Sequence, residues 1–259
     1  MKRVGLIVPS SNTTMETEIP ALLRQSASWD FPGFTFHSSR ARLHTVDVQS
    51  LSRMVDDGDR CAAELGDADV DVIAYACLVA LMSRGAGAHK RIEAKLGEVV
   101  LGDRGKGVPI VSSAGALVRT LDALGLRKVA LVAPYMPELT KMVIAYIEAA
   151  GVTVTNSVSL SISNNLAVGR LDPLNLPEHV AKLDLSGVDG LILSACVQMP
   201  SLPAVQMVQD KIGLPVITAA TCTTREILLA LGLDPIVPNA GAALGTQSTG
   251  VISKAKVSA

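Results

Sequence analysis

The sequence has little of what nucleic-acid binding requires. Aromatic residues make up 3% of its 259 residues, and 23 Lys and Arg nearly balance 24 Asp and Glu, which leaves a formal charge of −1. Base stacking needs aromatic rings, and phosphate binding needs a basic surface. The composition therefore argues against nucleic acid and favours a small-molecule or protein partner.

Long apolar runs are also missing. The longest apolar stretches have the length of β-strands, whereas a transmembrane helix needs about 20 apolar residues. The first residues, MKRVGLIVPSSN, lack the apolar core and the cleavage site of a signal peptide. We therefore expect a cytoplasmic protein that makes no membrane contact.

Cysteine and histidine are scarce and scattered. The four cysteines, at positions 61, 77, 196 and 222, match neither a CxxC metal site nor a disulfide-rich scaffold. The four histidines form no pair with metal-ligand spacing. The residues therefore give no support for a metal or a cofactor, and each cysteine has to be judged singly.

The sequence does contain short β-rich runs that alternate with amphipathic helical segments. This alternation predicts βαβ units and parallel sheets. A polar stretch at 97–109 is predicted to be a connection or a strand edge, and the last residues, TGVISKAKVSA, a frayed tail. The predicted strands cover residues 3–9, 34–39, 70–77, 108–114, 128–134, 152–160, 188–196 and 214–220.

Three phrases of the first half return in the same order in the second half. RVGLIVP matches KVALVAP, VDVIAYAC matches VDGLILSAC, and PIVSSAGALVRTLDALG matches PVITAATCTTREILLALG. Such a repeat predicts an α/β fold with two pseudo-twofold-related parallel-sheet lobes and an active site in the cleft between them. We expect the first lobe to contain residues 1–114 and 221–259, and the second to contain residues 115–220.

Cys77 and Cys196 occupy equivalent positions in the two repeats. Each ends a predicted strand, where the backbone N–H groups of a following helix or turn would stabilise a thiolate. A free cysteine is more often a small buried apolar residue. That interpretation is kept for Cys61 and Cys222, but the repeated position makes it a poor explanation of Cys77 and Cys196.

Motifs along nearly the whole chain carry a family resemblance. They include VPSSNTTMETEIPA at 8–21, YACLVA at 75–80, APYMPELT at 133–140, NNLAVGRLDPLNLP at 164–177 and LSACVQMPSLPAV at 193–205. With these motifs the chain resembles the maleate cis-trans isomerases, whose fold is that of the aspartate/glutamate racemase superfamily. The resemblance implies cofactor-independent isomerisation of maleate to fumarate in a homodimer, with Cys77 as nucleophile and Cys196 as its acid/base partner.

The resemblance also implies which residues bind this small dicarboxylate. Asn12, Tyr135 and Asn165 would hold the carboxylates, and Asn165 is preferred to Asn164 because it directly precedes the Leu of its motif. Few charged residues lie in the motifs, so we expect neutral donors to bind the dianion. Taken alone, Asn12 is better explained as the cap of a helix that begins near Met15. The neighbours of the two cysteines complete the predicted site: Leu78, Val79 and Val197.

Two alternatives remain open at this stage. A racemase of the same superfamily also uses two facing cysteines, but the racemases carry ACNTA and GCTH, whereas this chain has ACLVA and ACVQM. A non-catalytic protein could instead use Cys77 and Cys196 as a reversible disulfide that senses oxidants or serves binding.

Overall fold

The computed structural model describes residues 1–26 and 33–245. Within these ranges the chain forms two four-stranded parallel sheets, and all eight predicted strands are confirmed. The first sheet has the order β2-β1-β3-β4 and the second has the order β6-β5-β7-β8. The strands are β1 (Lys2–Pro9), β2 (Phe34–Ala41), β3 (Val72–Tyr75), β4 (Ile110–Ser112), β5 (Lys128–Ala133), β6 (Thr153–Ser159), β7 (Gly190–Ser194) and β8 (Val216–Thr218).

The same strand order in both halves confirms the predicted repeat and the two-sheet α/β fold. Every pairing in the two sheets is parallel. The central strand β1 is buried throughout residues 4–9, because helices cover both faces of a parallel sheet. The edge strand β6 instead alternates between exposed and half-buried residues.

Helices connect the strands and cover the sheets. Within the described ranges, no helix is both long enough and apolar enough to span a membrane. The helices are α1 (Met15–Gln25), α2 (Val48–Asp56), α3 (Gly58–Asp67), α4 (Leu78–Met82), α5 (Ala88–Arg104), α6 (Ser113–Ala123), α7 (Pro137–Glu148), α8 (Asn165–Val168), α9 (Leu176–Val180), α10 (Leu202–Ile212) and α11 (Ala219–Ala230).

The prediction of a connection at 97–109 is wrong for residues 97–104 and holds only for residues 105–109, which join α5 to β4. Helix α5 continues to Arg104 and buries Leu96 and Val100, which follow Ile92 at helical spacing. The helix ends at Gly105, whose φ of +66° is the left-handed conformation that commonly terminates helices. The glycines inside this stretch, which suggested a loop, are outweighed by the burial of its apolar face.

Helices α6 and α11 follow the last strand of each sheet and pack against each other. Helix α11 also contacts α1, β3 and β4, so the chain returns to the first sheet after β8. The lobe boundaries, 1–114 with 221–259 and 115–220, stay a prediction. The predicted tail lies outside the described residues, as does everything beyond residue 245.

Candidate active site

One small cavity lies where the carboxyl ends of the two sheets meet. The loops that follow the central strands β1, β3, β5 and β7 all contribute to its wall. Its free volume is about 20 Å³, little more than the space of one water molecule. A larger surface groove of about 840 Å³ contains none of the predicted site residues. The cavity is lined by Pro9, Asn12, Leu43, Val46, Cys77, Leu78, Val79, Tyr135, Asn165, Cys196, Val197 and Gln198.

Every site residue predicted from the sequence therefore lines this one cavity. Four further residues line the cavity and were not among the predicted site residues: Pro9, Leu43, Val46 and Gln198. Among these, Leu43 and Val46 come from the loop after β2, a segment that contributed none of the predicted site residues. This loop reaches the second half of the chain through an isolated bridge between Thr45 and the residue before α8.

Cys77 lies in a sharp turn between β3 and α4. Its φ of +96° and ψ of 74° are rare for a residue with a side chain. Such a conformation costs about 1–3 kcal/mol and is found mostly at functional sites. The residue is only 8% exposed and lines the cavity, and the backbone N–H of Ala80 donates to its carbonyl oxygen at 3.2 Å and also lowers the pKa of its thiol.

Cys196 approaches the cavity from the second half, two residues after β7 ends. Its sulfur lies near the Tyr135 hydroxyl and the backbone N–H groups of Gln198 and Met199, which lower the pKa of the thiol. Its carbonyl oxygen accepts a hydrogen bond of 2.9 Å from the hydroxyl of Ser194. The turn is thus fixed on both sides of the thiol.

Burial dominates the acidity of both thiols. It raises the pKa of Cys77 to about 12 and also raises the pKa of Cys196, because a thiolate loses its hydration inside the cavity. The backbone donors that the sequence predicted are present and lower both values, but by less than burial raises them. Burial therefore outweighs the predicted N–H donors at both thiols.

Tyr135 follows β5 and is a neutral donor. It is 3% exposed, and burial raises the pKa of its hydroxyl well above the ordinary value. The hydroxyl donates to the carbonyl oxygen of Ala195 at 3.0 Å and also lies within hydrogen-bonding reach of the Cys196 sulfur. A rotation about the phenolic C–O bond is enough to redirect this proton.

Asn12 satisfies both interpretations of its role, each with a different atom. Its Oδ1 accepts from the backbone N–H groups of Thr14 and Met15, each at 2.9 Å, and so caps the start of α1. Its buried Nδ2 has no partner within the described residues. An unpaired buried donor costs about 1–3 kcal/mol. An oxygen of a ligand in the cavity would relieve this cost.

The two asparagines of NNLAVG separate into different roles. Asn164 accepts from the backbone N–H of Ala167 at 2.9 Å and caps α8. Asn165 is 5% exposed, lines the cavity and donates from Nδ2 to the hydroxyl of Ser11 at 2.8 Å. The Ser11 hydroxyl in turn donates to the carbonyl oxygen of Leu43, in the loop after β2.

The cavity offers a ligand neutral donors rather than charges. None of the described residues that line it is Lys, Arg, His, Asp or Glu. The nearby Arg40 pairs with Glu16 at 2.7 Å and donates to the backbone carbonyl of Asn12 at 2.6 Å. In the part of the chain that the structure describes, no group of three or more His, Cys, Asp or Glu is arranged to hold a metal ion.

Comparison with known proteins confirms the family resemblance. Residues 4–244 match the family model described as arylmalonate decarboxylase. A maleate isomerase from Geobacillus stearothermophilus is 55% identical over 244 residues, which cover 93% of this chain and 96% of that protein.

Two solved structures have nearly the same fold. A cysteine-to-alanine mutant of the maleate isomerase from a Pseudomonas putida strain, with maleate, has a TM-score of 0.90 at 50% identity, over 94% of this chain and 97% of that one. A cysteine-to-serine mutant of the Nocardia farcinica maleate cis-trans isomerase, with a covalently bound succinylcysteine intermediate, has a TM-score of 0.90 at 44% identity, over 95% and 99% of the two chains. The chain therefore belongs to the arylmalonate decarboxylase family and, within it, to the maleate isomerases.

Proposed function

We propose that this protein isomerises maleate to fumarate without a cofactor, by covalent addition of the Cys77 thiolate to the double bond. The observation that carries the proposal is the cavity itself, in which one cysteine from each half meets a set of neutral donors. Maleate isomerases that are 45–55% identical over nearly the whole chain support it, as does the covalent succinylcysteine intermediate in one of them.

The chemistry requires only that the π bond be removed for a time. The thiolate forms an S–C bond to one alkene carbon, and the π electrons move to the neighbouring carbon and its carboxylate. The remaining C–C single bond then rotates. The electrons return, the S–C bond breaks, and the alkene leaves in the trans form with no net gain or loss of protons.

Fixed neutral donors suit this charge movement. During addition, negative charge accumulates on the carboxylate next to the carbanionic carbon, and donors held in a dry cavity stabilise it. We assign this role to the Nδ2 of Asn12, the hydroxyl of Tyr135 and the side chain of Asn165. Leu78, Val79 and Val197 would form the apolar wall that keeps water from the adduct.

Cys196 has two possible roles in this scheme. It protonates and deprotonates the neighbouring carbon of the adduct, or it stabilises the charged adduct while the bond rotates. Turnover in heavy water bears on this choice, because deuterium in the fumarate product requires carbon protonation. A Cys196→Ala variant with the parent rate would remove the residue from the mechanism.

The test of the proposed function is proton NMR of the purified protein with maleate, since the vinyl signals of maleate and fumarate are distinct. We expect conversion by the parent protein and none by Cys77→Ser, because a serine hydroxyl is a far weaker nucleophile than a thiolate. An active Cys77→Ser variant would contradict the assignment of the nucleophile. No conversion by the folded parent protein would contradict the proposed function itself.

The two alternatives give different results in the same experiments. A racemase would need a carboxylate near the substrate ammonium group, and the described cavity wall includes no carboxylate. A thiol sensor would lose Cys77 and Cys196 stoichiometrically to peroxide and leave maleate unchanged. The homodimer and the cytoplasmic location stay predictions, which sedimentation and cell fractionation can test.

A further inference from the structure

Gln198 is a cavity residue to which neither the sequence motifs nor the proposed mechanism assigns a role. It lies in the turn after β7, is 2% exposed, and uses both ends of its side-chain amide. Its Nε2 donates to the backbone carbonyls of Ser11 at 3.2 Å and Asn165 at 2.9 Å. Its Oε1 accepts from the backbone N–H groups of Thr13 at 2.9 Å and Thr14 at 3.4 Å.

These bonds connect three of the segments that carry the proposed site: the β1–α1 loop, the start of α8 and the turn after β7. Asn12 lies between Ser11 and Thr13, both of which the amide contacts, and Asn165 is contacted directly. The backbone of Gln198 adds one further bond, because its carbonyl accepts from the hydroxyl of Thr14 at 2.8 Å, and its N–H lies near the sulfur of Cys196, where it lowers the pKa of the thiol. One residue of the second half therefore touches both asparagine segments and the second thiol.

Gly169 provides an independent indication that space is reserved for this amide. A Cβ at residue 169 would collide with the Nε2 of Gln198 and lie 3.0 Å from the hydroxyl oxygen of Thr13. The backbone of Gly169, with φ −68° and ψ −10°, is one that any residue adopts. The glycine is thus required by the position of the amide and not by the conformation of the chain.

We propose that Gln198 is a positioning residue that holds Asn12 and Asn165 in register with Cys196, so that the donors of the first half and the thiol of the second half meet the same substrate. The inference rests on the proposed function. Only an amide of this length offers two acceptor-facing N–H groups at one end and a carbonyl oxygen at the other. Donors that stabilise a developing charge lose their effect when they are displaced by a fraction of an ångström to one ångström.

The test compares Gln198→Glu and Gly169→Ala with the parent protein. The carboxylate of Gln198→Glu still accepts from the β1–α1 loop but turns an oxygen toward two carbonyl oxygens. The methyl group of Gly169→Ala displaces the Gln198 amide without changing its chemical groups. We expect each variant to lose at least about tenfold in kcat/KM for maleate, mostly in kcat, at temperatures well below unfolding.

Two matched variants control for charge and for volume. Gln209→Glu places the same charge in the same half, where Oε1 accepts from the backbone N–H of Val216 at 3.1 Å, away from the cavity. Gly97→Ala adds a methyl group inside α5, where the nearest atom is 3.8 Å away. Both should keep the parent kcat/KM.

A pH series separates positioning from loss of structure. When the carboxyl group of Gln198→Glu is protonated, its O–H replaces one of the lost donors, so its activity relative to the parent should rise as the pH falls from about 8 to about 6. Parent-like kcat/KM in both variants would overturn the inference, as would a loss that follows the melting temperature and shows no recovery at low pH.

Hydrogen exchange tests the contact independently of turnover. The backbone amides of Thr13 and Thr14 should exchange faster in Gly169→Ala than in the parent, because the added methyl group displaces the amide oxygen that accepts from them, while those of β1 stay unchanged. Unchanged exchange at these two amides would overturn the inference even if the parent protein does not act on maleate. Failure of the parent to convert maleate, with faster exchange in Gly169→Ala, would instead count against the proposed function.

Discussion

Tyr135→Phe removes one hydroxyl from the centre of the cavity wall and tests the neutral-donor scheme. In the parent that hydroxyl donates to the carbonyl oxygen of Ala195 at 3.0 Å and reaches the sulfur of Cys196. Without it a buried carbonyl loses its partner, which should cost about 1–2 kcal/mol of the free energy of unfolding. In the proposed reaction a substrate carboxylate also loses a donor. We expect a loss of about 1–3 kcal/mol in transition-state stabilisation, or about 5- to 150-fold in kcat/KM.

The same variant has a pH signature. The Tyr135 hydroxyl is one of the donors that lower the pKa of Cys196 against the effect of burial. Its removal should raise that pKa further, because the thiolate loses a hydrogen bond that the thiol needs less. The limb of the kcat/KM profile that Cys196 controls should therefore move to higher pH.

Tyr146→Phe is the matched control for this experiment. Tyr146 lies on α7 in the same half, is 4% exposed, and uses its hydroxyl in a hydrogen bond with His89, but it does not line the cavity. We expect a similar loss of stability and the parent kcat/KM. If Tyr135→Phe keeps the parent kcat/KM and pH profile, or if Tyr146→Phe loses as much activity, the assignment of the tyrosine as a substrate donor is refuted.

Further predictions concern the strained cysteine, the first asparagine and the substrate. Because residue 77 has a φ of +96°, Cys77→Gly should be at least as stable as Cys77→Ala in thermal unfolding, although glycine ordinarily costs about 1 kcal/mol of stability relative to alanine. A clearly lower melting temperature for Cys77→Gly than for Cys77→Ala would contradict the backbone strain at this residue. Asn12→Asp should keep the helix cap and the melting temperature but lower kcat/KM for the dianion, and Asn12→Ala should lower both; parent-like turnover of Asn12→Asp would remove Nδ2 from substrate binding. The monoanionic half-amide of maleate should react more slowly than maleate in an NMR assay, and equal rates would show that two carboxylates are not required.

The fold was predictable because its signals are local and repeated. Each strand is a short apolar run, and the matching order of phrases in the two halves implies two similar sheets before any contact is known. The part of α5 after residue 96 was predicted as a connection because the local sequence there is rich in glycine and polar residues, whereas the burial of Val100 depends on neighbours that are distant in sequence.

The candidate site was predictable to the extent that strand ends and motifs mark it. Gln198 stands within the phrase LSACVQMP, yet its amide bonds to residues more than 180 positions earlier, which no local pattern reveals. Leu43 lines the cavity because of how the loop after β2 folds, and local sequence does not show this either. The raised pKa values of the two thiols were not predictable for a similar reason, because strand ends indicate nearby N–H donors but not how deeply the thiols are buried.

Mass spectrometry of the acid-quenched reaction tests the central claim most directly. The parent protein, Cys77→Ser and Cys196→Ala are each mixed with maleate, denatured rapidly in acid and digested, and the peptides are searched for a covalently added dicarboxylate. The account predicts a succinyl adduct on the peptide that contains Cys77 in the parent or in Cys196→Ala, and no adduct in Cys77→Ser. An adduct on Cys196 alone, or conversion of maleate by Cys77→Ser, would contradict it.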